Sequence, residues 1–157
     1  MRVEEDFEVA KLTSFKVGGK IKKVYFPECE TDFIEITEKE ADFKVFGNLT
    51  NTLVSSDGYD GVVVITTGMK NFSIEGTKLT AECGLKGPKL SQAVAKEGLS
   101  GLEFMVAFPG SIGGEVFMNA GAHGQSISDV LVKATCWSRD RGVFQLSKEE
   151  MEFSYRT

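Results

Sequence analysis

Apolar residues along this chain fall mostly in short runs closed by glycine or polar turns, the spacing of strands joined by tight connections. Gly61-Val62-Val63-Val64-Ile65 is a β-branched run with no polar interruption, which predicts a buried strand. Phe43-Lys44-Val45-Phe46 predicts a second, shorter strand that leads into Gly47-Asn48-Leu49-Thr50-Asn51. Residues 72–75 and 78–82 flank Gly76-Thr77 and predict a hairpin. Between residues 129 and 138, Val130, Val132, Ala134 and Cys136 alternate with Leu131, Lys133 and Thr135. That period of two predicts a strand, which Asp140-Arg141-Gly142 turns into a partner over residues 143–146.

Two stretches carry helical spacing instead. Over residues 31–39, Thr31 is placed to cap, Asp32 lies in the first turn, and Phe33, Ile34 and Ile36 give an apolar face. Over residues 88–97, Pro88 opens a helix, Leu90, Ala93 and Val94 share one face, and Gly98 closes it. Short strands with two or three helices define the α+β class. A division near residues 69–71 gives two lobes, residues 1–69 and 70–157.

Composition narrows the function. The chain has 157 residues, 41% hydrophobic and 26% charged, as expected of a globular protein. No apolar run approaches the roughly 20 residues of a membrane span. The opening Met1-Arg2-Val3-Glu4-Glu5-Asp6 has no apolar signal core, so a cytoplasmic residence is expected. A net charge of −5 disfavours nucleic-acid partners, and the one dense basic stretch holds Lys16, Lys20, Lys22 and Lys23. Cys29, Cys83 and Cys136 are far apart and form no zinc spacing, so three reduced thiols and no metal are expected.

A phosphate ligand on so acidic a chain calls for local main-chain donors, and the 17 glycines cluster where such donors are useful. Phe108-Pro109-Gly110-Ser111-Ile112-Gly113-Gly114 fits either an anion-holding nest of amides, with the Ser111 hydroxyl added, or an ordinary tight connection. In Met118-Asn119-Ala120-Gly121-Ala122-His123-Gly124, the Asn119 amide fits either the edge of a flat heterocycle or its own turn. His123 reads as a loop residue. Neither the strand-linked GxGxxG of a Rossmann unit nor a P-loop is present, so a bound dinucleotide requires another fold.

Taken in order, these segments resemble the UDP-N-acetylenolpyruvoylglucosamine reductase family. The resemblance starts at Thr13-Ser14-Phe15-Lys16-Val17-Gly18-Gly19 and runs through Val45-Phe46-Gly47-Asn48-Leu49-Thr50-Asn51-Thr52-Leu53-Val54 and Gly98-Leu99-Ser100-Gly101-Leu102-Glu103-Phe104. It is strongest at Pro109-Gly110-Ser111-Ile112-Gly113-Gly114 with Met118-Asn119-Ala120-Gly121-Ala122, and it ends at Phe153-Ser154-Tyr155-Arg156. The PGxxGG loop recurs across vanillyl-alcohol-oxidase-like flavoproteins; its combination with MNAGA and FxYR is specific.

The resemblance implies a two-lobed FAD-binding fold of the vanillyl-alcohol-oxidase/p-cresol-methylhydroxylase type, with FAD between the lobes. Gly47, Asn48, Leu49, Thr50, Asn51 and Thr52 are then expected at the diphosphate. Pro109, Gly110, Ser111, Gly113 and Gly114, with Asn119, Ala120, Gly121, Ala122 and Gly124, are expected at phosphate and flavin. It also implies an NADPH-dependent reduction of UDP-N-acetylglucosamine enolpyruvate to UDP-N-acetylmuramate in peptidoglycan synthesis. Tyr155 would line the substrate pocket, and Arg156 would bind the substrate carboxyl and stabilise its developing enolate charge with a permanently charged fork.

This sequence departs from the family pattern at several points. Leu49 puts bulk in the first loop, Lys16 stands where arginine is usual, Ala107 replaces a glycine and His123 a tyrosine. Leu49 is expected to loosen contact with phosphate at that point, and Glu115 sets a carboxylate beside the second loop, which either points outward or weakens FAD affinity. The family's general-acid serine and assisting glutamate lie further on than Thr157, so this chain alone is expected not to turn over the substrate. The alternatives are an FAD-linked oxidase domain of the same superfamily and a non-catalytic domain derived from the reductase.

Overall fold

Two parallel strands occupy the middle of the main sheet in the computed structural model, which describes residues 1–154. That sheet is built from β1 (Arg2–Glu8), β2 (Lys20–Phe26), β3 (Lys44–Phe46) and β4 (Tyr59–Ile65), in the order β1-β2-β4-β3. β1 runs antiparallel to β2, whereas β2–β4 and β3–β4 are parallel. Helix α1 (Glu30–Lys39) is the crossover between β2 and β3.

The uninterrupted apolar run of β4 is explained by cover on both faces. Val63 and Ile65 join Phe7, Val9, Ile21, Val24, Phe26 and Leu49 on one side. Val64 and Tyr25 meet Ile36 of α1 on the other, with Phe33 and Phe43 packed against them. Each buried aliphatic side chain contributes about 1.5–3 kcal/mol relative to exposure, so losing either face would cost several such contributions.

The chain continues through β5 (Phe72–Glu75) and β6 (Lys78–Ala81), an antiparallel hairpin turning at Gly76, to helix α2 (Gly87–Lys96). A six-residue helix α3 (Ile112–Phe117) follows, then the short hairpin of β7 (Gly121–Ala122) and β8 (Gln125–Ser126) and one turn of helix, α4 (Ile127–Val130). Phe104, Met105 and Ile127 form a third core, against which Phe108, Ile112 and Val116 pack. The last hairpin, β9 (Lys133–Ser138) with β10 (Gly142–Ser147), returns to the first half of the chain. Trp137 lies 5.8 Å from Phe33 and 5.6 Å from Phe43 between ring centroids, and Arg139 Nη2 donates to the Glu40 carbonyl at 3.0 Å.

Several expectations are corrected. Helix α1 starts at Glu30 with Cys29 as its N-cap, not at Thr31. Among the described residues no side chain caps its first turn; the Asp32 carboxylate instead accepts from the Glu28 amide ahead of the helix at 2.9 Å and pairs with the chain's amino terminus at 3.2 Å. Residues 129–130 end a helical turn instead of opening a strand, because Ser126 and Asp129 close a reciprocal capping box. The basic stretch around Lys20, Lys22 and Lys23 is strand β2. There Lys22 pairs with Asp60 at 2.8 Å, and Lys23 donates to Glu40 at 2.7 Å. Among the described residues no helix is long and apolar enough to cross a membrane, and the three cysteines are unpaired.

Candidate functional site

The loop leaving β3 meets the segment entering α3 at one point. Gly47 abuts Ser111 so closely that a Cβ on Gly47 would sit 2.0 Å from Ser111 Oγ. One residue on, Asn48 Nδ2 donates to the Pro109 carbonyl at 3.0 Å. Ser111 is buried, and its hydroxyl has no hydrogen-bond partner among the described residues. A buried hydroxyl left in this way normally has an acceptor or donor to meet.

Leu49 holds φ at +53°, in the left-handed region, and its side chain is 3% exposed within the first core. The bulk expected at the phosphate approach is therefore turned inward, and the turn presents main chain outward. Ser14 accepts this arrangement from behind: its amide donates to the Leu49 carbonyl at 3.3 Å and its hydroxyl to the Thr50 carbonyl at 3.1 Å. With the carbonyls engaged, the amides of Asn48, Leu49, Thr50, Asn51 and Thr52 donate to no acceptor among the described residues. Free donors on both sides of a left-handed residue are the arrangement from which anion-holding nests are built.

The second loop behaves differently from the nest its glycines suggest. The Ile112 amide donates to the Leu85 carbonyl and the Gly113 amide to the Cys83 carbonyl, both at 2.8 Å. Those two donors anchor α3 to the segment before α2. Gly113 has no room for a side chain, since a Cβ there would lie 2.8 Å from that of Cys83. What this segment brings against residues 47–48 is the buried Ser111 hydroxyl and the Pro109 carbonyl, the latter engaged by Asn48.

Charge reaches the crevice from residues the sequence reading did not connect. A cleft of about 190 Å³ beside Asn48 is lined by Thr67, Lys70, Gly84, Leu85, Lys86 and Lys89. None of the three lysines is in an ion pair among the described residues. A second cleft of about 290 Å³ is lined by Lys44, Phe46, Thr52, Leu53, Val54 and Tyr59, among others, so Asn48 lines one cleft and Thr52 the other.

Asn119, at φ +39°, has both halves of its amide engaged. Its Nδ2 donates to the Ser154 carbonyl and its Oδ1 accepts from the Ser128 amide, each at 3.0 Å. The turn-holding alternative is the one its contacts match, and it also tethers the segment that leads to Tyr155. Gly121 and Ala122 form β7, and Ala120 accepts from the Ile127 amide at 3.0 Å. His123 and Gly124 are the two turn residues, at φ +55° and +81°, as a primed two-residue hairpin turn requires. Tyr155 and Arg156 lie outside the described residues.

Glu115 points inward, not out beside the loop. It is 3% exposed, both carboxyl oxygens lack a hydrogen-bond partner among the described residues, and burial pushes its pKa up to about 7. Glycines make its space: a Cβ on Gly87 would lie 2.5 Å from its Oε1, and one on Gly110 3.3 Å.

A mixed sheet with a donor loop turned at Leu49, packed through Gly47 against a helix-anchored second segment, defines an FAD-binding α+β fold of the type found in flavin-linked oxidases. The chain belongs to the FAD binding domain family, whose model matches residues 22–147, and FAD is the cofactor of that family. It is 39% identical over 156 residues to UDP-N-acetylenolpyruvoylglucosamine reductase of Caldicellulosiruptor saccharolyticus, covering 97% of this chain and 50% of the relative. Against the Bacillus subtilis protein of the same name the figures are 38% over 154 residues, 95% and 51%. The chain spans about half the length of the curated relatives it matches.

Among solved structures, it superposes on UDP-N-acetylenolpyruvylglucosamine reductase from Thermus caldophilus with a TM-score of 0.82 at 29% identity, covering 100% of this chain and 56% of that one. Cholesterol oxidase from B. sterolicum aligns with a TM-score of 0.64 at 15% identity, over 93% and 32%, which is a likeness of fold alone. The free amides of residues 48–52, the unpartnered Ser111 hydroxyl and the adjacent lysines form a donor set suited to a dinucleotide diphosphate.

Proposed function

We propose that this chain is the FAD-binding portion of an NADPH-dependent reductase. In this reading the reductase converts UDP-N-acetylglucosamine enolpyruvate to UDP-N-acetylmuramate, in the cytoplasm, for peptidoglycan synthesis. The observation that carries the reading is the run of amides from Asn48 to Thr52, unpaired among the described residues, directly after Gly47, which abuts the unpartnered Ser111 hydroxyl. The similarity to reductases of that name supplies the reaction class.

When bound, FAD supplies the hydride-transfer chemistry between NADPH and the enolpyruvyl double bond. This chain's residues hold and orient it. Residues 48–52 donate main-chain hydrogen bonds to the diphosphate, Gly47 permits close approach, Ser111 adds a hydroxyl, and Lys70, Lys86 and Lys89 offset its charge. The largely apolar cleft beside Thr52 has room for one ring system of the nucleotide. Ala120, Gly121, Ala122 and Gly124 form a small-residue wall, with Asn119 fixing its turn. Residues 1–69 and 70–157 act as the two lobes of the site. Arg156 acts on the substrate carboxylate and its developing enolate charge, and Tyr155 lines the substrate pocket.

Anaerobic mixing with NADPH tests the reading. Loss of the flavin's yellow absorbance on adding NADPH to FAD-loaded protein supports it. Unchanged absorbance under NADPH, with bleaching by dithionite, contradicts it.

A further inference from the structure

Ser111 and Glu115 stand four residues apart, one turn along α3, and both side chains are buried without a hydrogen-bond partner among the described residues. Their surroundings differ at each end. Ser111 abuts Gly47 at the start of the donor loop, whereas the Glu115 carboxyl lies over Gly87 and Gly110. Two buried polar groups therefore follow one another on this turn, the hydroxyl against Gly47 and the carboxyl against Gly87 and Gly110.

Among the described residues no opposite charge balances that carboxyl. The titratable side chains on the elements around it are Cys83, Lys86 and Lys89 before and within α2, Glu103 ahead of the third core, His123 on the β7–β8 turn and Asp129 on α4. Among the described residues none makes a hydrogen bond or ion pair with Glu115. Glu103 accepts from the Gly101 amide and Asp129 from the Ser126 amide, so both are engaged elsewhere. An ionised carboxylate here is desolvated and unpaired, the arrangement that low-dielectric burial penalises most.

We propose that FAD binding by this chain is proton-linked through Glu115: the dinucleotide diphosphate in the crevice and an ionised Glu115 exclude one another. The proposal rests on the FAD reading of the Gly47–Ser111 crevice. Ser111 abuts Gly47 at the crevice and the Glu115 carboxyl abuts Gly110, the residue before Ser111, so like charges held at these two places repel. Binding the dianionic diphosphate therefore raises the carboxyl's affinity for its proton, and by reciprocity protonation raises the affinity for FAD. The upward-shifted pKa of about 7 in the ligand-free chain places this coupling in the physiological range.

FAD titrations from about pH 5 to about pH 9, followed by flavin fluorescence, test the linkage on the intact chain, Glu115→Gln and Glu115→Ala. Above about pH 7 the wild-type Kd is expected to rise toward tenfold per pH unit, one proton being linked to one FAD. Both variants are expected to bind with a flat pH profile, and calorimetry in buffers of different ionisation enthalpy to show proton uptake in the wild type alone. A flat wild-type profile, or equal slopes in wild type and variants, overturns the proposal while leaving the FAD site standing. Failure of all three proteins to bind FAD at any pH removes the site itself, and the linkage with it.

Discussion

Gly47 and Ser111 are 64 positions apart in the sequence, yet a single methyl on Gly47 would lie 2.0 Å from the Ser111 hydroxyl oxygen. The two loops can approach only because residue 47 lacks a side chain. Gly47→Ala is expected to destabilise the fold by about 1–3 kcal/mol, the usual cost of overpacking. Adding Ser111→Ala removes the closest atom and leaves the Ser111 Cβ at 3.2 Å, so the double variant should recover most of the loss. Denaturant midpoints of the two single variants and the double variant check this; strict additivity would mean the two residues do not share the contact.

Lys86 and Lys89 are expected to assist FAD binding through charge. They are exposed, so each contributes on the order of 0.3–1 kcal/mol, screened by salt. Lys86→Ala with Lys89→Ala should raise the FAD Kd severalfold at low ionic strength, and the difference should shrink as salt is added. A salt-independent loss would assign the lysines a packing role.

Trp137 joins the last hairpin to α1 through Phe33 and Phe43. It is half-buried, so Trp137→Ala is expected to cost about 2 kcal/mol, below the 3–5 kcal/mol of a fully buried aromatic. Thermal unfolding measures it, and an unchanged melting temperature would show that the hairpin does not support the fold.

The apo protein should also carry a pH signature of Glu115. Burial raises its folded pKa to about 7, above the unfolded value near 4.3. Its contribution is then fully present below about pH 4 and lost as pH rises through about 7. Glu115→Gln is expected to flatten that segment of the stability–pH curve and to gain on the wild type at alkaline pH, as followed by urea midpoints at several pH values.

Much of the fold was legible because its elements are local. The run at Val62-Val63-Val64-Ile65, the Gly76 hairpin and the Pro88-opened helix each carry their own period and punctuation. Strands β1 and β2 were not, since β1 is an edge strand whose Glu and Asp face solvent, with Phe7 its one buried side chain. Helix α3 was masked by Gly113 and Gly114, which disfavour helix locally; pairing of its first amides with Cys83 and Leu85 supplies what propensity lacks.

The candidate site divides along the same line. Its loops were found from glycine spacing and resemblance, whereas side-chain direction was invisible. Nothing in the sequence says that Leu49 adopts a left-handed φ and packs inward, or that Glu115 fills the space left by Gly87. The lysine-rimmed cleft was missed because Lys70 and Lys86 come together only through the β5–β6 excursion between them.

Comparing FAD with riboflavin as ligands for the purified chain tests most directly whether the Asn48–Thr52 amides and Ser111 hold a diphosphate. Fluorescence titration is expected to give saturable FAD binding and at least tenfold weaker riboflavin binding, roughly 1.4 kcal/mol or more from the diphosphate contacts. Equal affinity for the two, or no FAD binding, would contradict the account.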